Sequence, residues 1–230
     1  MTSLRLRARA PAAALVFASF ATGCDEGQIA PPFPEGQGQA PGGGVAYPAG
    51  PYGTTKGDVI QNFKFLGLVN PEADSTSALE IELADFYNPT GDGVYEEGSI
   101  FDAGVEKPKL LLLNVSASWC QPCQHEADKI LPGKYAKYHP YGAQFLLLLA
   151  EGPNQGEAAE FKNLVTWTNR YETLWPGTID PNYTLASIFK ATAYPVNILI
   201  DTETMRIVEA VAGAPEEEGP VFQALDELLE

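Results

Sequence analysis

Across its 230 residues the chain carries 14 Lys and Arg against 30 Asp and Glu, a formal charge of −16. An acidic balance of this size excludes nucleic acid as a partner, because that role depends on basic side chains that displace counterions from phosphates. The acids are dispersed rather than gathered in one run, which suits a solvated, self-repelling surface.

The chain opens with Arg5, Arg7 and Arg9 ahead of an apolar stretch from Ala10 to Ala21, the pattern of an export signal. A helix needs roughly 20 apolar residues to span a bilayer, so this shorter stretch is expected to be cleaved rather than retained. Ala21-Thr22-Gly23-Cys24 resembles the lipobox of bacterial lipoproteins, with Ala21 where Leu is usual. That resemblance implies lipidation of Cys24 and attachment to a membrane through the lipid; the other reading is an ordinary signal peptide cut nearby. Loss of residues 1–23 removes three arginines and no acid, leaving 11 basic against 30 acidic side chains and a charge of −19.

Between Gly27 and Gly57 there are 6 prolines and 9 glycines among 31 residues, too little apolar surface to build a core. Residues 24–57 are therefore expected as a tether whose span, as a flexible coil, is on the order of 30 Å. Its later part, Tyr47 to Tyr52, has two aromatics able to pack on the domain that begins near Asp58.

From Asp58 to Glu230 the size and apolar content are those of one domain, with no internal repeat. Extended segments are expected at Val59–Leu68 and Leu79–Phe86, followed by a loop over Asn88–Gly104. The unbroken apolar run Leu110–Val115 reads as a strand buried on both faces. A helix should follow over Cys120–Tyr138, kinked or broken at Pro132-Gly133, and then a second buried strand at Phe145–Leu149. Helical spacing marks Gly156–Tyr171 and, more briefly, Tyr183–Lys190. Val196–Ile200 and Ile207–Val211, on either side of the polar turn Asp201-Thr202-Glu203-Thr204, form an antiparallel hairpin, and Glu217–Leu229 is a terminal amphipathic helix.

Trp119-Cys120-Gln121-Pro122-Cys123 stands where the first central strand hands over to a helix, the carboxyl end at which open α/β sheets carry their sites. Thiol–disulfide exchange needs an attacking thiolate and a second thiol near enough to release the mixed disulfide. Cys120, at the positive end of the helix, is the candidate attacker; Cys123, one turn deeper, resolves. Pro122 suits a first turn, where its missing N–H costs nothing. The pair alone leaves a structural disulfide or half of a zinc site open, although only His125 and His139 could complete the latter. His125 could stabilise thiolate charge or be a surface residue. Trp167 and Trp175 read as core or cleft lining.

The segment Leu111 to Cys123, with Glu126 beyond it, resembles the active-site region of TlpA/ResA-like thioredoxins, and Ala193-Tyr194-Pro195-Val196-Asn197 resembles the cis-proline segment of the same proteins. The resemblance covers most of residues 58–230. It implies an α/β thioredoxin fold, a central mixed sheet flanked by helices, here with extra N-terminal β-strands. It also implies a thiol-disulfide oxidoreductase of the cell envelope that needs no cofactor and no metal. Its partners would be disulfide-containing envelope proteins and a membrane thiol donor. Pro195 would be cis, rather than a trans proline opening a strand, and would expose the backbone of Tyr194 to a substrate peptide. Trp119, read as an aromatic before a helix, either shields and shapes the site or caps the core. Cytosolic thioredoxins carry a buried Asp six residues before the first cysteine, where this chain has Asn114. Membrane-anchored relatives place a carboxylate where Glu126 stands, so proton handling would fall to Glu126; the other reading of Glu126 is a solvated helix residue or a first-turn partner of the helix dipole.

Two other functions share the fold. A copper-binding or metallochaperone module would usually separate its cysteines by three residues and add a distant histidine, for which only His139 is at hand. A peroxidase would need Pro-x-x-x-Thr-x-x-Cys, which Val115 to Cys120 does not supply.

Overall fold

The computed structural model describes residues 46–185, 193–213 and 217–229. The expected signal peptide, Cys24 and most of the tether lie outside the described residues, as does the greater part of the helix expected over Tyr183–Lys190. Seven strands form a single mixed sheet in the order β2-β1-β5-β4-β3-β6-β7. They are β1 (Lys64–Leu68), β2 (Leu79–Glu82), β3 (Leu110–Ala117), β4 (Ala143–Glu151), β5 (Gly177–Ile179), β6 (Val196–Asp201) and β7 (Arg206–Ala212). β3, β4 and β5 run parallel, whereas β6 pairs antiparallel with β3 and β7 with β6.

Alternation along β3 explains its unbroken apolar sequence. Leu110 and Leu112 belong to one core, Leu111, Leu113 and Val115 to another, and successive side chains of a strand point to opposite faces. The first core is closed by helices: α1 (Gln121–His125), α2 (Leu131–Tyr138), α3 (Phe161–Arg170) and α4 (Pro220–Leu229), which contribute Tyr135, Trp167, Phe222 and Leu225 among others. The second is closed by the chain ahead of β3, with Tyr47, Ile60, Phe63, Leu83 and Phe86 packed on it. Packing thus reaches back to Tyr47, ahead of residue 58, and the Tyr47 hydroxyl donates to the Ile60 carbonyl at 2.8 Å.

Several elements differ from the sequence expectation. Residues 59–63 do not continue β1; Val59 makes only isolated bridges, to Tyr52 and Arg206. Leu79–Phe86 is strand only to Glu82 and then turns into a 3-10 helix, Leu83–Phe86. There the Asp85 carboxylate accepts from the Glu82 backbone N–H at 2.7 Å, a reciprocal cap that stops the strand. α3 starts at Phe161, because Glu160 and Asn163 cap each other there. β5 is absent from the expectation altogether: Pro176 and its own first residue, Gly177, are weak strand signals, yet the segment is held between β4 and β1. Gly67 permits that pairing, since a Cβ there would meet the Gly177 carbonyl oxygen at 2.2 Å.

The helix after the cysteines runs on to Tyr138 through a π-helical turn, Glu126–Ile130. Its irregularity lies just upstream of Pro132-Gly133. Pro132 has no N–H for the Asp128 carbonyl and its ring crowds that group, so the bonding slips by one residue; Leu131 N–H reaches back to the Glu126 carbonyl.

Candidate active site

β3 ends at Ala117, and a tight turn brings Cys120 to the start of α1. The turn is fixed by Cys120 N–H donating to the Ala117 carbonyl at 3.1 Å and Ser118 N–H to the Glu151 carbonyl at 2.9 Å. The Gln124 side-chain amide adds a bond to the Ser118 carbonyl at 2.7 Å. Cys120 occupies the N-cap with extended backbone, and Gln121 and Pro122 open the helix.

Cys120 and Cys123 are joined as a disulfide with their Cα atoms 5.3 Å apart. The Cys123 backbone N–H donates to Cys120 Sγ at 3.1 Å. After reduction that same donor would face a thiolate on Cys120, together with the positive end of the helix, and both favour the charged sulfur. Cys120 is 2% exposed and Cys123 0%, so Cys120 is the more accessible of the two.

Behind the pair lies a buried polar cluster. Glu126, 0% exposed, is the first residue of the π-helical turn. Its Oε2 accepts from Asn114 Nδ2 at 2.8 Å and its Oε1 from Asn197 Nδ2 at 2.7 Å. Asn114 Nδ2 donates as well to Asn197 Oδ1 at 2.9 Å, and the Ser116 hydroxyl donates to Asn114 Oδ1 at 2.9 Å. Asn114 and Asn197 face each other across the β3–β6 pairing. Burial pushes the Glu126 carboxyl up to about 7, against the pull of the Asn197 and Asn114 amides, which favour its ionised form. Desolvation outweighs two hydrogen bonds here because neither amide carries a full charge.

In front of the pair, Trp119 and Tyr194 are half-buried and meet edge to face, with ring centroids 6.2 Å apart and planes at 77°. The Tyr194-Pro195 peptide bond is cis, and Pro195 is buried. Glu151, the last residue of β4, accepts from Trp119 Nε1 at 2.6 Å.

The structure therefore brings together Trp119, Cys120, Cys123, Glu126, Tyr194 and Pro195 at the carboxyl end of β3. It does not bring in the histidines. His125 is exposed on α1. His139 stacks on Tyr135 and its Nδ1 lies 3.1 Å from the Ala143 carbonyl, beside the opposite end of the eight-residue strand β3. At about 3.3 Å per residue that is on the order of 25 Å from the cysteines, which removes the histidine on which a copper site would depend. Among the described residues no group of three or more His, Cys, Asp or Glu is placed to hold a metal ion. Trp167 and Trp175 are core residues.

Asn197, Ser116 and Glu151 were not picked out from the sequence. The signal for the first two was present, as polar residues inside otherwise apolar strands. Glu151 had none, because its partners come from three separate segments.

No protein-family model matches the chain, and no curated protein matches it by sequence. Solved structures do. A putative thiol:disulfide interchange protein DsbE from Chlorobium tepidum is similar at a TM-score of 0.55 and 18% identity, over 76% of this chain and 99% of that one. A putative protein disulfide isomerase from Bacteroides thetaiotaomicron is similar at 0.54 and 16%, over 76% and 91%. The thioredoxin domain of a thiol-disulfide oxidoreductase from Bacteroides vulgatus is similar at 0.52 and 13%, over 77% and 99%. With strands, helices and cysteine pair in this arrangement, the chain has the thioredoxin fold, extended at its N-terminus by β1 and β2.

Proposed function

We propose that the chain is a thiol-disulfide oxidoreductase that reduces or exchanges disulfides of extracytoplasmic proteins. The observation that carries this reading is the Cys120–Cys123 disulfide at a helix start, with the Cys123 N–H aimed at Cys120 Sγ.

In the reducing direction the Cys120 thiolate attacks one sulfur of a substrate disulfide and forms a mixed disulfide, and the displaced sulfur leaves as a thiolate that takes up a proton. Cys123, deprotonated, then attacks Cys120 Sγ. The Cys120–Cys123 bond forms, the second substrate sulfur is released, and two electrons have passed to the substrate. Glu126 accepts the Cys123 proton, a role for which a carboxyl titrating near neutrality is suited. Trp119 and Tyr194 line the substrate site, and the Tyr194 backbone before Pro195 pairs with the substrate chain. A membrane thiol donor restores the dithiol.

The placement outside the cytoplasm rests on the export-signal pattern of residues 1–23 and the lipidation pattern at Cys24, with residues beyond Cys24 as tether. No described helix is long and apolar enough to cross a membrane. The anchor in this reading is the lipid on Cys24, on the strength of the lipobox resemblance.

The test is dithiothreitol-driven reduction of insulin. Cys120→Ser should abolish it, and Cys123→Ser should accumulate a mixed disulfide with substrate. Undiminished turnover by Cys120→Ser defeats the proposal.

A further inference from the structure

Glu151 is the one carboxylate among the described residues that ties both half-buried aromatic rings of the site to a third segment. Its Oε2 accepts from Trp119 Nε1 at 2.6 Å and from the Gly156 backbone N–H at 2.8 Å. Its Oε1 accepts from the Tyr194 hydroxyl at 3.4 Å. Trp119 belongs to the turn after β3, Gly156 to the loop between β4 and α3, and Tyr194 to the segment before β6.

The residue that carries the carboxylate is itself held in place. Its backbone carbonyl accepts from Ser118 N–H at 2.9 Å, its backbone bridges Ala158, and its register opposite Ala117 follows an irregularity in the β3–β4 pairing at Ser116/Ala117. No described Lys or Arg forms an ion pair with it. Its charge is therefore met by the indole, the phenol and a backbone amide. An indole can only donate, and an ionised carboxylate is the strongest side-chain acceptor available to it. The Tyr194 phenol is held protonated by burial and by the nearby Glu151 charge, as its donation to that carboxylate requires.

We propose that Glu151 is a positioning residue for substrate binding. By holding the Trp119 indole and the Tyr194 ring edge to face at 6.2 Å, it makes them a single rigid wall beside Cys120 and Pro195, against which a substrate polypeptide lies. Both rings also pack on the core that contains Cys120 and Cys123, so a change in their orientation alters the approach to the attacking sulfur and leaves the sulfur chemistry itself in place. The inference rests on the oxidoreductase reading above and adds to it the group that sets polypeptide binding.

The experiment uses the full mature chain with Glu151→Ala and Glu151→Gln. Loss of charge-assisted bonds should raise KM for insulin about tenfold in Glu151→Ala, with kcat changed by less than about twofold. Glu151→Gln should hold KM within about threefold of the parent, because its carbonyl oxygen can still accept from Trp119 and Gly156 while its amide turns to the Tyr194 oxygen. The Trp119 indole N–H resonance, assigned with Trp119→Phe, should move to the position of an unbonded indole in Glu151→Ala only. An unchanged KM and an unmoved indole resonance in Glu151→Ala overturn the proposal, as does an equal fall of kcat and kcat/KM in both variants, the mark of a merely structural residue. A parent protein that reduces no insulin defeats the oxidoreductase reading instead, and the indole resonance then still tests the bond.

Discussion

Replacing Glu126 by Gln removes the one carboxyl that the described residues place in the cluster behind the cysteines and should change how stability depends on pH. In the folded protein this group titrates at about 7, raised from 4.5. The folded state therefore binds the proton more tightly than the unfolded chain does. Below pH 4.5 both states hold it and burial of the group costs nothing extra. Between the two values the unfolded chain releases its proton while the folded one keeps it, and stability falls by up to 1.36 kcal/mol per pH unit. Above about 7 both states are ionised and the loss is complete, at about 3 kcal/mol. Glutamine does not titrate, so the difference in unfolding free energy between parent and variant should change by about that amount from pH 4.5 to 8, in favour of the variant at high pH. Any loss of a hydrogen bond in the variant adds an offset that does not vary with pH. Urea unfolding of the oxidised proteins, followed by tryptophan fluorescence at fixed pH values, measures the difference. Asp85, which burial pushes up to about 6, contributes with the same sign in both proteins and cancels. Parallel pH curves for parent and variant would refute the reasoning.

Asn197→Leu takes away the amide that donates to Glu126 Oε1, so the ionised carboxylate loses one of its two described side-chain partners. The upper end of the pH window over which stability falls, set by the folded-state value, should rise by about one unit and the total loss should grow by about 1.4 kcal/mol, as read from the same urea series. Leu112→Ala, at a fully buried position in the middle of β3, should lower stability by about 2–5 kcal/mol through lost burial and the cavity left behind. Denaturant unfolding at one pH would measure it, and a loss below 1 kcal/mol would contradict the two-faced burial of that strand.

Elements whose signal is local were legible in the sequence. Leu110–Val115 is apolar on both pleat faces, Pro122 suits a helix start, and two runs around Asp201–Thr204 make a hairpin; each depends on neighbours within a few residues. The attacking and resolving cysteines were legible for the same reason, since their spacing and their place between strand and helix are written in one short segment. What distant segments do to each other depends on contacts made only in the folded chain. β5 has three residues and loop-like neighbours, and it becomes a strand because β4 and β1 offer it unpaired backbone on both sides. Glu126 could be named, but not its surroundings: Asn114 and Asn197 come together beside it through the antiparallel register of β6 on β3. Glu151 lies 32 residues from Trp119 and 43 from Tyr194 along the chain, and no local pattern marks a carboxylate whose partners are brought to it only when β3, β4 and the segment before β6 meet at one end of the sheet.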